Sequence, residues 1–329
     1  MDRVARLAYA KRRQADGDPH GELIQVQCAL EDAPDDADLQ ERDAALRRVV
    51  LGPQPRGVHL NWTQGFVTAL TISGRRPRDL GGEWLSDALA HPALSQLASV
   101  VVNRCPDLSA VFAMLAALPA STAALTVNVW RPRRQETPLA VTASDLACIS
   151  GHPGLRSIDV VAGEASVPAL SLPALESLSL RCVSLLPVDI AQQSASALPS
   201  LQALSLYFGH PAGGGPGHDD ARTVLDRLPA GLRRLSLGGG WFGDGLCAAL
   251  PGVRWLAGLQ QLAMPYAAIT DGGGAALIAK AAAFSHLQSL DLRGNALSAS
   301  QAAAVVAALP TADVRDQRVM PSASADEEE

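Results

Sequence analysis

The sequence predicts an α/β solenoid, a column of short parallel strands with helical returns, preceded by a small helical domain and followed by an acidic tail. Three observations predict it. Apolar residues at the first, fourth and sixth places of a short pattern recur in nine copies that begin 20 to 33 residues apart. Amphipathic, alanine-rich stretches that stop at prolines stand between several copies. Residues 1–60 read instead as three helices separated by turns.

Those helices span Arg3 to Ala15, Gly21 to Glu31 and Ala37 to Val50. The separators, Asp16-Gly17-Asp18-Pro19 and Asp32-Ala33-Pro34-Asp35-Asp36, carry turn chemistry. Arg6-Leu7-x-Tyr9-Ala10, Gly17-Asp18-Pro19-x-Gly21-Glu22-x-Ile24-x-x-Gln27-Cys28-Ala29-Leu30, Leu51-Gly52-Pro53 and Gly65-Phe66-Val67 together resemble the bacterial repeat-companion domain. The family usually continues its tyrosine as Tyr-Ala-Asp-Trp-Leu, where this chain has Tyr9-Ala10-Lys11-Arg12-Arg13. The resemblance implies a domain placed ahead of leucine-rich repeats, and such a domain is expected to cap the open end of the apolar column.

The repeats themselves are expected over 61–310. Clear copies are Leu155-x-x-Ile158-x-Val160, Leu175-x-x-Leu178-x-Leu180, Leu201-x-x-Leu204-x-Leu206, Leu232-x-x-Leu235-x-Leu237, Leu259-x-x-Leu262-x-Met264 and Leu287-x-x-Leu290-x-Leu292. Weaker ones begin at Val67, Leu97 and Thr122. The fourth and sixth places lie two apart in a strand and so enter the core, while the residue between faces out. Helical returns are expected over Asp107 to Leu118, Ala275 to Phe284 and Ser298 to Leu309, the last with capping-box spacing at Ser298 and Gln301. This layout resembles ribonuclease-inhibitor-like leucine-rich repeats, as does Ile269-Thr270-Asp271-Gly272 before a helix. The loop asparagine or cysteine of such repeats is present only at Asn295 and Cys105, so the other loops must be held by different means.

Composition narrows the functional classes. With 48% hydrophobic and 18% charged residues the chain is too apolar for disorder, and its apolar runs are too short to cross a bilayer. The N-terminus shows no secretory pattern and the 5 cysteines are widely spaced, which predicts a cytoplasmic protein with reduced thiols in its core. Net charge is −6 and the acidity lies at the two ends, a balance that argues against generic nucleic-acid binding. Residues 311–329 close on Asp326-Glu327-Glu328-Glu329 and are expected to be a disordered tail.

No catalytic set is evident, and no enzyme activity, cofactor or metal is expected. The outward strand positions are Thr71, Val101, Thr126, Asp159, Ser179, Ser205, Ser236, Ala263 and Asp291, and none of the histidines is placed on a strand face. Asp159 and Asp291 have four strands between them, too many for a carboxylate pair. The glycine-rich loop over 209–220, with His210 and His218, lacks the Lys-Ser/Thr of a phosphate loop. One basic cluster stands out: Arg75, Arg76, Arg78, Arg104, Arg131, Arg133 and Arg134 follow three successive strands and are expected along one edge. Arginine forks suit carboxylates and phosphates. Trp130, Tyr207 and Trp241 at strand exits are candidate anchors, and Arg181, Arg234 and Arg293 extend the basic stripe over the concave face.

The expected function is therefore non-catalytic binding of a protein partner by a monomeric solenoid, with RNA or a phosphorylated partner as possible occupants of the arginine edge and no membrane role. A second reading is a stoichiometric regulator or inhibitor of an enzyme. A third places an enzyme site in the loop over 209–220.

Overall fold

The computed structural model describes residues 2–74, 82–105, 108–129, 140–165, 170–185, 198–208, 225–226, 228–240 and 242–318. It is mixed α/β, and the chain divides into two compact units: Met1–Val129 with His152–Leu155, and Trp130–Gly151 with Arg156–Glu329.

The first unit opens with three helices, α1 (Arg3–Ala15), α2 (Pro19–Asp32) and α3 (Ala37–Leu51), each capped by an aspartate immediately before it. The carboxylates of Asp2, Asp18 and Asp36 accept from the amides of Ala5, His20 and Leu39, supplying acceptors for otherwise orphaned donors. Gly21 lets α2 cross α1 at backbone contact, where any side chain would strike the Ala10 carbonyl. Glu22 accepts from Arg42 Nε at 2.7 Å, tying α2 to α3. Ala10, Ile24, Cys28 and Phe66 form the core of this region, with Leu7 and Tyr9 packed on it.

Strand β1 (Val58–Thr63) then turns back antiparallel onto β2 (Phe66–Ser73) through Gln64 and Gly65, both at positive φ, the geometry of a two-residue hairpin. This hairpin is absent from the sequence expectation, whose junction at 60/61 falls inside β1. The turn is held from below: Gly65 N donates to Gln27 Oε1 at 2.6 Å, and Gln27 Nε2 donates to Asp43 at 2.7 Å. Next, β3 (Ser99–Asn103) and β4 (Ala124–Asn128) add in parallel to β2, aligning Leu70, Val100 and Leu125 and then Ile72, Val102 and Val127, all buried. Helices α4 (Gly82–Ala90) and α5 (Leu108–Leu115) are the returns.

In the second unit, β6 (Ser157–Ala165), β7 (Ser177–Leu185), β8 (Ala203–Tyr207), β9 (Arg234–Gly238), β10 (Gln261–Ala263), β11 (Ser289–Asp291) and β12 (Ala312–Asp313) run parallel in chain order. A two-residue strand, β5 (Ala140–Val141), pairs with the end of β6. Ile158, Leu178, Leu204, Leu235, Leu262 and Leu290 align in register as one buried column. The returns include α6 (Ala143–Ala147), α7 (Gly243–Ala249), α8 (Asp271–Ala279), α9 (Ala281–Phe284) and α10 (Ala299–Ala308). The single helix expected over Ala275 to Phe284 is thus two, interrupted at Lys280, and the second turns Phe284 into the core.

Loops between repeats are held by several devices. Asn295 fills its expected role: Oδ1 accepts from Ala267 N and Ile269 N, and Nδ2 donates to the carbonyls of Met264 and Leu292. One turn further, Gln317 does the same work with a longer side chain, accepting from Leu297 N and donating to the carbonyls of Leu292 and Val314. The repeat bonding therefore runs on through β12, beyond the expected boundary at 310. Upstream, Phe208 and Phe242 plug the gap instead, stacked edge to face at 5.1 Å. Asp244 reaches the next repeat to accept from Thr270 N and Gly273 N, and Asp271 repeats the contact to Ser298 N.

Candidate interaction face

Strand alternation puts every second side chain of a strand on the open face of the sheet, opposite the buried columns. In the first unit Thr71, Val101 and Thr126 align there, half-buried. His59 lies beside Thr71 on β1, exposed; it is a histidine on a strand, which corrects the expectation that none would be. In the second unit Asp159, Ser179, Ser205, Ser236, Ala263 and Asp291 align in the expected row, and Asp313 on β12 extends it. A parallel row holds Ser157, Ser177, Ala203, Arg234, Gln261 and Ser289. Serine and alanine fill most of these places, and the face between β7 and β11 is hollow, with a volume of about 540 Å³ lined also by Arg234 and Gln261.

Charge on this face is organised in pairs. Arg181 reaches Asp159 at 3.4 Å across the strand pair, Arg293 grips Asp291 at 2.7 Å, and Arg315 grips Asp313 at 2.6 Å. Hydrogen bonding by the Arg315 guanidinium, with its charge, holds the Asp313 carboxyl down at about 2. Asp-x-Arg, with the aspartate closing a strand and the arginine two residues on, returns the guanidinium to the carboxylate, a signal legible at 291–293 and 313–315 that sequence reasoning missed. Two of the three arginines expected on the concave face, Arg181 and Arg293, are thus committed to aspartates. Arg234 is exposed, as is its neighbour Arg233, and neither makes an ion pair among the described residues.

Of the proposed arginine edge, only Arg104 lies within the described residues, at the exit of β3 with φ of 52°. Arg75, Arg76, Arg78, Arg131, Arg133 and Arg134 lie outside them, as do Trp130, Trp241 and the loop over 209–220. Tyr207 is half-buried, its ring laid against Gly238 on the next strand, where a Cβ would come within 2.8 Å. Tyr266 is the more exposed aromatic, 41% accessible, with Arg318 stacked 4.6 Å from its ring centre.

The remaining groups with chemistry serve the framework. His91 and His152 each begin a His-Pro-x-Leu turn, the ring Nδ1 accepting from Ala93 N in one and from Gly154 N and Leu155 N in the other. His286 Nε2 donates to the Leu256 carbonyl. Cys28, Cys105, Cys182 and Cys247 are buried free thiols, whereas Cys148 is exposed, a departure from the expected core position. Burial pushes the Cys105 thiol up to about 11 and that of Cys182 up to about 12, leaving them protonated and unreactive at neutral pH. Among the described residues no group of three His, Cys, Asp or Glu side chains is placed to hold a metal, and no helix is long and apolar enough to cross a membrane.

Comparison with protein families gives no match, and comparison with curated proteins gives none. Solved structures do match. A structural-genomics target protein from Bacteroides fragilis aligns with a TM-score of 0.59 at 21% identity, over 72% of this chain and 71% of that one. The leucine-rich repeat-containing protein LegL7 from Legionella pneumophila aligns at 0.39 and 18% identity, over 79% and 87%. TLR13 in a complex with ssRNA13 aligns at 0.41 and 18% identity, over 71% of this chain and 34% of that one. The fold is that of a leucine-rich repeat solenoid, carried by the in-register leucine columns and the asparagine-type loop bonding.

Proposed function

We propose that the chain is a non-catalytic binding module that takes a protein partner on the open sheet face of its second unit. The observation that carries this reading is the row of small, mostly polar side chains in register from Asp159 to Asp313, which leaves a hollow between β7 and β11. Seven strands pinned by the columns beneath give that surface a fixed shape, and a rigid surface loses little entropy on binding. Half-buried Ser and Asp with exposed Gln261 can accept from and donate to a partner's backbone, and among the described residues no serine of this row hydrogen-bonds a base.

The test is affinity capture from source cells with three proteins: wild type, a variant with Ser205→Trp and Ser236→Trp, and one with Arg76, Arg104, Arg131 and Arg134 changed to Glu. The expected result is a protein retained by wild type and by the glutamate variant but lost by the tryptophan variant. Loss in the glutamate variant alone moves the site to the arginine edge. Retention by both variants overturns the reading.

A further inference from the structure

We infer that the start of β9 anchors a carboxylate side chain of the partner, because Arg234, exposed on the open face, and Arg233, exposed just before the strand, make no ion pair among the described residues, while Asp159, Asp291 and Asp313 on that face each reach an arginine. The inference rests on the binding face proposed above and names the chemistry of its anchor.

On the described part of this face each acid has a partner: Asp159 has Arg181, Asp291 has Arg293, Asp313 has Arg315, and Glu176 has Arg156. The pairs cancel and leave positive charge at one place. That place is firmly held, since Arg233 N and Arg234 N both donate to the Gln202 carbonyl and the Arg233 carbonyl accepts from Gln260 N and Gln261 N. Across the strands the neighbours are neutral: Gln202 and Ala203 on one side, Gln260 and Gln261 on the other. A carboxylate arriving on the open face meets the Arg234 guanidinium beside Gln261, with Arg233 at the strand's entrance adding positive charge, and Ala203 leaves room above the sheet for the segment that bears it.

The same map selects against a polyanion. At ~4.8 Å per strand, Asp291 is roughly 10 Å to one side of Arg234 and Asp159 roughly 14 Å to the other. Both are already paired with arginines, so unpaired positive charge is confined to one place on the row, which matches a single carboxylate and not a run of successive phosphates. A lone acidic residue in an otherwise neutral peptide fits between them.

The test uses random dodecapeptides displayed on phage, selected on the immobilised full-length chain. A selected peptide is then made with Glu, with Gln and with phosphoserine at its acidic position, and titrated against wild type, R234Q, R234K, the R233Q/R234Q pair and S236W. Selection should enrich Asp or Glu. The Glu peptide should lose about ten- to a hundred-fold in affinity on R234Q, the size of a charge-assisted hydrogen bond, and less on R234K. The Gln peptide should bind weakly and be indifferent to R234Q. Selection without acidic enrichment, equal binding of the Glu and Gln peptides, or tighter binding of the phosphoserine peptide overturns the carboxylate anchor. A peptide lost on S236W but unmoved by R234Q overturns the anchor and leaves the binding face standing. A peptide unmoved by both overturns the two together.

Discussion

Gly65 shows how much a single position can decide. Its φ of +86° suits glycine alone, and a Cβ there would collide with Ile24 on α2. Gly65→Ala should therefore destabilise the first unit by about 2 kcal/mol or more, read as a shift in the denaturation midpoint. His20 packs against this turn, wholly buried, with Nε2–H donating to the Gly65 carbonyl at 2.8 Å and Nδ1 buried without a partner. Tyr9, Phe66 and His91 face its ring, and Arg13, paired with Asp18, lies over Tyr9. Burial lowers the pKa of both His20 and His91. Between the lowered value and the unfolded value near 6.5, the unfolded chain binds more protons, so stability is complete above about 6.5 and falls as pH drops below it, by at most about 1.4 kcal/mol per pH unit for each proton. Denaturation followed from pH 8 to pH 5 should show that decline, and His20→Gln should reduce it; a flat profile would contradict the burial argument. In the second unit Asn295 carries four bonds to buried backbone, so Asn295→Ala should cost about 3 kcal/mol or more by the same measurement.

At the scale of elements, the nine strands were readable because alternation has a fixed period and leucine fills its inward places. The three N-terminal helices were readable because an aspartate marks each start. What escaped the sequence has physical reasons. Strand β1 carries a bulge between Asn61 and Trp62, which breaks the alternation that would have announced it. Strand β12 has only two residues and no leucine pattern, and Gln317 substitutes for the loop asparagine with a side chain one carbon longer. Gln317→Ala should free that last turn, and amide exchange at Leu297 should quicken while exchange at Leu204 and Leu235 stays slow. The open-face row was legible residue by residue, and two of its ion pairs join residues only two apart, but the third was not legible, since the Arg181–Asp159 contact joins residues 22 apart in sequence. The arginine edge, chosen from proximity to strand ends, lies largely outside the described residues.

For the whole molecule, two compact units built of repeats imply local rather than global cooperativity, because each repeat packs mainly on its neighbours. Gly65→Ala and Asn295→Ala should therefore each loosen their own unit, and amide exchange should map the two losses to different residues. The strands of the second unit also shorten along the chain, from nine residues in β6 and β7 to five in β8 and β9, three in β10 and β11, and two in β12. An unpaired strand edge is a template on which another chain can polymerise, and its grip grows with the number of backbone groups it offers. By tapering to two residues, the described end of this sheet offers few backbone groups as such a template.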